Sequence, residues 1–268
     1  MTTGDERPRG FSEEALRGLR DLELRLPPPG DWEPRSPDPG PVSEVRPHYF
    51  GHRERLRQRF LQGGHAAMPE YELLELLLFN AIDRIDVKPL AKALLAAFGD
   101  LNGVVAASEP RLLDVPGTTP RVYLQLRIAE AFAQRMARAR VIRRSVIASW
   151  DELMTYCRTV MAYRDTEQFR VLFLDRKNVL IADEAQGKGT VDHVPVYPRE
   201  VAKRALELNA SALILVHNHP SGDPTPSDAD IAMTEQIELA CRAIGVALHD
   251  HVVVGKGVEV SFRSLGLL

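Results

Sequence analysis

The spacing of apolar positions changes once along this chain. Between Gly51 and Ser145 they recur every three or four residues, so "YELLELLLF" and "VKPLAKALLAAFGDLNGVVAAS" predict amphipathic helices with Gly99 and Gly103 at their ends. "LLDVPGTTPRVYLQLRIAEAFAQR" predicts a helix, a Pro-Gly turn and a second helix. From Ile147 onward the apolar residues fall into short β-rich runs. "QFRVLFLDRKNVLIADEAQ" predicts two strands joined by a tight turn at Asp175–Asn178. "YPREVAKRALELN" predicts a helix starting near Pro198, where the missing N–H does no harm. "SALILVHNH" is a buried strand, "SDADIAMTEQIELACRAIG" a helix ending at Gly245, and "VALHDHVVVG" a further strand. The alternation predicts an α/β domain over residues 146–268, with helices on both faces of a mixed sheet, behind a helical domain over residues 51–145. Residues 1–50 fit neither pattern. Eight prolines between Pro27 and Pro47 predict a disordered tail, in which "FSEEALRGLRDLELRL" offers one short helix capped by Ser12.

Composition narrows the class. A chain of 268 residues with 44% hydrophobic and 26% charged residues has the makeup of a soluble globular protein. No apolar run approaches the ~20 residues of a membrane span, and "MTTGDERPRG" lacks the layout of a secretory signal. Two cysteines, Cys157 and Cys241, are too few for a disulfide framework or a cysteine-built zinc site, which fits a reducing cytoplasm. The net charge of -3 hides an uneven distribution. Residues 51–145 carry 15 Lys/Arg against 10 Asp/Glu, and residues 146–268 carry 12 against 17. The basic middle segment suits weak nucleic-acid binding, and equally a set of solvated helix faces. Its Pro-Gly turn resembles a helix-hairpin-helix, except that Thr119 stands where a second glycine would help grip a phosphate, followed by Pro120, which has no N–H to offer.

The chemistry concentrates in "ALILVHNHPSGDPTPSDAD", residues 212–230. Residues i and i+2 of a strand share a face, so His217 and His219 can converge on one ion. Asp230 follows eleven residues after His219, in the first turn of the next helix. Two histidines and an aspartate supply three ligands and leave a fourth tetrahedral position for water, the arrangement of a catalytic zinc site. Each piece also has a plain structural explanation: exposed histidines at a strand end, and a capping box from Ser227 to Asp230. His249 and His251 form a second H-x-H pair, read as polar strand positions because no third ligand follows at suitable spacing.

H-x-H, seven residues, S, two residues and D is the spacing of the JAMM motif of MPN (JAB) domain metalloproteases. With "VYPREVAKRALELNASALILVHNHPSGDPTPSDADI" and "DHVVVG", and "RERLRQRF" and "ELLELLLF" upstream, the chain closely resembles the RadC family from about Gly51 to Leu268. The resemblance implies one Zn2+ per chain on His217, His219 and Asp230. It implies that Glu184, five residues before Gly189, is the acid that moves protons between water and leaving amine, with Asp183 on the opposite strand face. Ser227 would donate a hydrogen bond to the oxyanion. The expected activity is metal-dependent hydrolysis of a protein or peptide substrate. DNA-repair association or a metal-dependent nuclease is the alternative. Substrate and oligomeric state stay open.

Overall fold

The computed structural model describes residues 51–188 and 196–268. The proline-rich segment and its Ser12-capped helix lie outside the described residues. Helices α1 (His52–Gly63), α2 (Glu70–Leu78), α3 (Lys88–Phe98), α4 (Leu101–Ala106), α5 (Glu109–Leu113) and α6 (Pro120–Val141) come first. Leu74, Leu78, Leu94, Val104, Leu112 and Leu126 fill a core of their own. Gly99, at φ 91°, ends α3 as its position predicts. Gly103 does not end a helix. It sits inside α4, where its N–H is capped by Asp100 and a Cβ would lie 2.2 Å from the Phe98 carbonyl oxygen.

The Pro-Gly turn leads into α6 as predicted. Thr119 has a specific task there: its side chain accepts from the Val122 N–H and caps the helix, with Pro120 at the first position. The N-terminal half of α6 packs in the helical core through Val122 and Leu126, and its last residue, Val141, packs against the sheet. One helix thus serves both cores.

Trp150–Met161 corrects the sequence reading, which makes this stretch part of a β-rich region. It is a helix, α7. Thr155, Tyr156, Thr159 and Val160 favour strands, but Leu153, Met154, Cys157, Val160 and Met161 repeat at helical spacing and are buried. Burial of that face overrides local propensity.

The remaining elements are β1 (Gln168–Leu174), β2 (Leu180–Lys188), α8 (Pro198–Glu207), β3 (Ala212–Asn218), α9 (Asp228–Arg242), β4 (Ala247–Val254) and a short β5 (Glu259–Ser261). They make one mixed sheet in the order β2-β1-β3-β4-β5, with β3 and β4 parallel and the other neighbours antiparallel. Asn178, at φ 58°, turns the β1–β2 hairpin. Every residue of β3 is buried because both sheet faces are covered. On one face Leu172, Ile214, Val216 and Val252 meet α7. On the other, Val171, Leu213 and Leu215 meet Val201 of α8 and Ile237 of α9. Among the described residues no helix is long and apolar enough to cross a membrane.

Candidate metal centre

β3 ends where its face toward α8 and α9 opens. His217 is the last residue of that face, and His219 follows just beyond the strand, its N–H bonded to the Val254 carbonyl at 3.2 Å. The loop after it is pinned to the end of β4. Lys256 N–H donates to the Gly222 carbonyl at 3.3 Å, and a Cβ on Gly255 would stand 2.3 Å from that same oxygen. Only glycine permits this approach. The loop delivers Ser227 as the N-cap of α9 and Asp230 in its first turn.

Three of the expected site residues meet there. His217 Nε2 lies 3.0 Å from His219 Nε2 and 3.3 Å from Asp230 Oδ1, and His219 Nε2 lies 3.5 Å from Asp230 Oδ2. One ligand atom from each falls within 4.8 Å of the others, as one ion requires. The capping box is present as well, so the structural and the chemical explanations of Asp230 hold together. Ser227 donates its hydroxyl to Asp230 Oδ2 at 2.6 Å and accepts from the Asp230 N–H at 3.2 Å. Its proton is therefore committed to the Asp230 carboxylate rather than aimed at a substrate oxyanion.

Electrostatics confirm how tightly the cluster is coupled. Burial pushes the Asp230 carboxyl up, but hydrogen bonds to His217, His219 and Ser227 overcome this and hold it far below the usual carboxylate range. His219 is raised, first by its hydrogen bond to Asp230, against burial, with help from the Asp223 carbonyl and the charge of Glu167. The contact of His219 Nδ1 with the Asp223 carbonyl, at 2.8 Å, fixes a tautomer. A carbonyl only accepts, so Nδ1 carries the proton and Nε2 faces Asp230 and His217.

The acidic residues need rearranging. Glu184 shares the sheet face of His217, as its parity predicts, but lies on the row of Val171 and Leu215, two residues back along β3. Both of its oxygens bind the Arg204 guanidinium, at 2.7 and 2.8 Å. Glu167, which sequence reasoning missed, stands immediately before β1. Phe169 pairs with His217, so continuing that register by two residues sets Glu167 opposite His219, whose imidazole feels its charge. Asn218, the residue between the two histidines, fastens this segment on both sides of Glu167. Its Oδ1 accepts from the Gln168 N–H at 2.9 Å and its Nδ2 donates to the Thr166 carbonyl at 3.3 Å.

Asp183 is on the other face, fully buried, where it binds the Arg170 guanidinium through both oxygens and accepts from the Tyr156 hydroxyl. A substitution there, mild for a surface strand position, is costly here. Asp183→Asn should lower stability by about 3–5 kcal/mol, the cost of stranding one partner of a buried pair, while leaving metal content unchanged. Denaturant unfolding alongside elemental analysis checks both halves.

His249 and His251 also separate. His249 Nε2 bonds Asn178 Oδ1 at 2.7 Å, and it joins no metal-ligating group among the described residues. His251 is no polar strand position: it is wholly buried, and its Nε2 lies 2.8 Å from His217 Nδ1.

Related sequences show the family. The chain is 67% identical over 217 residues to a UPF0758 protein of Ruegeria pomeroyi, covering 81% of this chain and 97% of the relative. It is also 67% identical over 213 residues to a UPF0758 protein of Rhodobacter capsulatus, covering 80% of this chain and all of the relative. Residues 147–267 match the family described as RadC-like JAB domain. The chain belongs to the RadC family. Its JAB domain contains the whole sheet and all three candidate ligands, so the metallohydrolase-type fold and the ligand cluster coincide.

Proposed function

We propose that this RadC-family protein is a zinc-dependent hydrolase that cleaves peptide or isopeptide bonds, with one ion on His217, His219 and Asp230. The observation that carries this reading is the donor set itself. Two imidazole Nε2 atoms 3.0 Å apart face a carboxylate whose second oxygen is already held by Ser227. Such a set of lone pairs calls for a cation, and two nitrogens with one oxygen suit zinc. When bound, zinc with an open coordination position lowers the pKa of its water to about 7 and polarises a carbonyl.

The chain's own residues do the remainder. Asp223 orients His219 by accepting from Nδ1, and Ser227 orients Asp230. Glu167, beside His219 and fastened by Asn218, takes the proton from the attacking water and returns it to the leaving amine. This assigns the proton-transfer role expected of Glu184 to Glu167, because Arg204 holds both Glu184 oxygens. The test uses the full chain with a library of quenched peptides and isopeptide-linked lysine peptides. Cleavage should vanish with a chelator and return with zinc. Cleavage indifferent to the chelator would reject the reading.

DNA binding is a separate proposal, supported by exposed Arg121, Arg135, Arg138 and Arg140 along α6. Because Thr119 is occupied as a cap, binding should be weak, independent of sequence and of metal. It should fall steeply with salt through counterion release, and Arg121→Glu should weaken it further. A salt titration of the full chain, with and without chelator, measures this; loss on chelation would place nucleic acid at the metal cluster.

A further inference from the structure

Behind His217, on the side away from Asp230 Oδ1, two buried polar side chains that the proposed reaction does not use continue a chain of hydrogen bonds. His217 Nδ1 lies 2.8 Å from His251 Nε2, His251 Nδ1 lies 2.6 Å from Thr234 Oγ1, and Thr234 Oγ1 lies 2.6 Å from the backbone carbonyl of Asp230. His217, Thr234 and His251 are all buried. The His251 ring is enclosed by Phe169, Phe262 and His217, with ring centres 5.5, 4.5 and 4.8 Å away.

The direction of every proton in this chain follows from its last member. The Asp230 carbonyl can only accept, so the Thr234 hydroxyl donates to it. Having one proton, that hydroxyl must then accept from His251 Nδ1. A second proton on His251 would bury a cation between Phe169 and Phe262, so its Nε2 accepts from His217. His217 therefore donates from Nδ1, which makes Nε2 the nitrogen available to a metal beside His219 and Asp230. Imidazole tautomers are set in this way by the hydrogen bond made by the other nitrogen. The chain also begins and ends on ligands, since Asp230 supplies both the carbonyl and a carboxylate.

We infer that His251 and Thr234 are positioning residues that preset His217 in the tautomer and orientation a metal needs, with the proton order imposed by the Asp230 backbone carbonyl. The inference rests on the metal reading above and adds two residues to it. Neither residue touches the ion or the substrate.

The test compares the full-length wild type with His251→Phe, His251→Gln and Thr234→Val. Phenylalanine keeps the ring packing and removes both nitrogens; glutamine can return an acceptor near the place of Nε2; valine keeps the shape of threonine without its hydroxyl. Zinc affinity is read by competition with a chromophoric chelator. Proton location is read from the 15N shifts of the His217 ring in metal-free protein at alkaline pH. His251→Phe should weaken zinc binding by about 10–100-fold, as loss of such outer partners does, His251→Gln should recover most of it, and Thr234→Val should lie between. The wild-type His217 should carry its proton on Nδ1. Wild-type affinity in His251→Phe, or a His217 proton on Nε2, overturns the inference and leaves the metal reading standing. If His251→Phe does not fold, the Thr234→Val affinity and the wild-type 15N shifts decide. A wild type that binds no zinc overturns the metal reading and this inference with it.

Discussion

Glu167→Gln should keep the fold and the metal yet lose roughly 10²–10⁴ of hydrolytic rate, the contribution typical of a positioned general acid–base. Glutamine preserves shape and hydrogen bonding but cannot take up a proton. Glu167 stands opposite His219 on the continued β1–β3 register, its charge acts on that imidazole, and its segment is fastened by Asn218 on both sides. Glu184→Gln is the control. Its carboxylate belongs to an ion pair with Arg204 that is partly exposed, so its loss should change activity little. The readout is the rate on the best cleaved peptide, with zinc content measured on the same samples. The reverse ranking would return the proton-transfer role to Glu184 and require the Arg204 pair to open during turnover.

The second large effect concerns the two histidines, which should fail differently. His217→Ala and His219→Ala each remove a ligand, so both should lose zinc at chelator concentrations the wild type withstands. His217 is wholly buried between Phe169 and His251, with its ring stacked on Phe169 at 6.0 Å. Its loss also leaves a cavity and strands the His251 acceptor, which should cost several kcal/mol of stability in the metal-free protein. His219 lies at the open end and is partly exposed, so His219→Ala should unfold close to the metal-free wild type. Zinc retention in every variant should fall as the pH drops through the imidazole range, because protons compete for the same nitrogens. Equal stability loss in both variants would contradict the different surroundings assigned to the two rings.

What the sequence made legible follows the range of the interactions involved. His217, His219, Ser227 and Asp230 stand within 14 consecutive residues, and a strand, a loop and a capped helix bring them together by local geometry alone. The alternation of elements from β1 to β4 was equally local. Glu184 is what the family resemblance implies, and alternation places it and Asp183 on opposite faces, as the strand has them. What spacing could not supply was the partner: Arg204 is on α8, twenty residues on. Glu167 is set against His219 by a strand pairing that spans about fifty residues, and His251 is set behind His217 by the parallel β3–β4 pairing. No local pattern marks Glu167, and the H-x-H pair that contains His251 does not say that it stands behind His217. The signal that would have found both is the sheet order itself, which sets Glu167 opposite His219 and pairs His251 with Leu215, two residues before His217 on the same face. α7 was misread for a different reason. Its β-favouring residues outweighed, in a short window, the helical period of the face it buries.

The most direct measurement of the central claim is elemental analysis of the purified full chain after exhaustive dialysis, beside the His217→Ala/His219→Ala double variant. The account predicts one zinc per wild-type chain and none in the double variant. Wild-type protein without a metal, or stoichiometric zinc retained by the double variant, would contradict it.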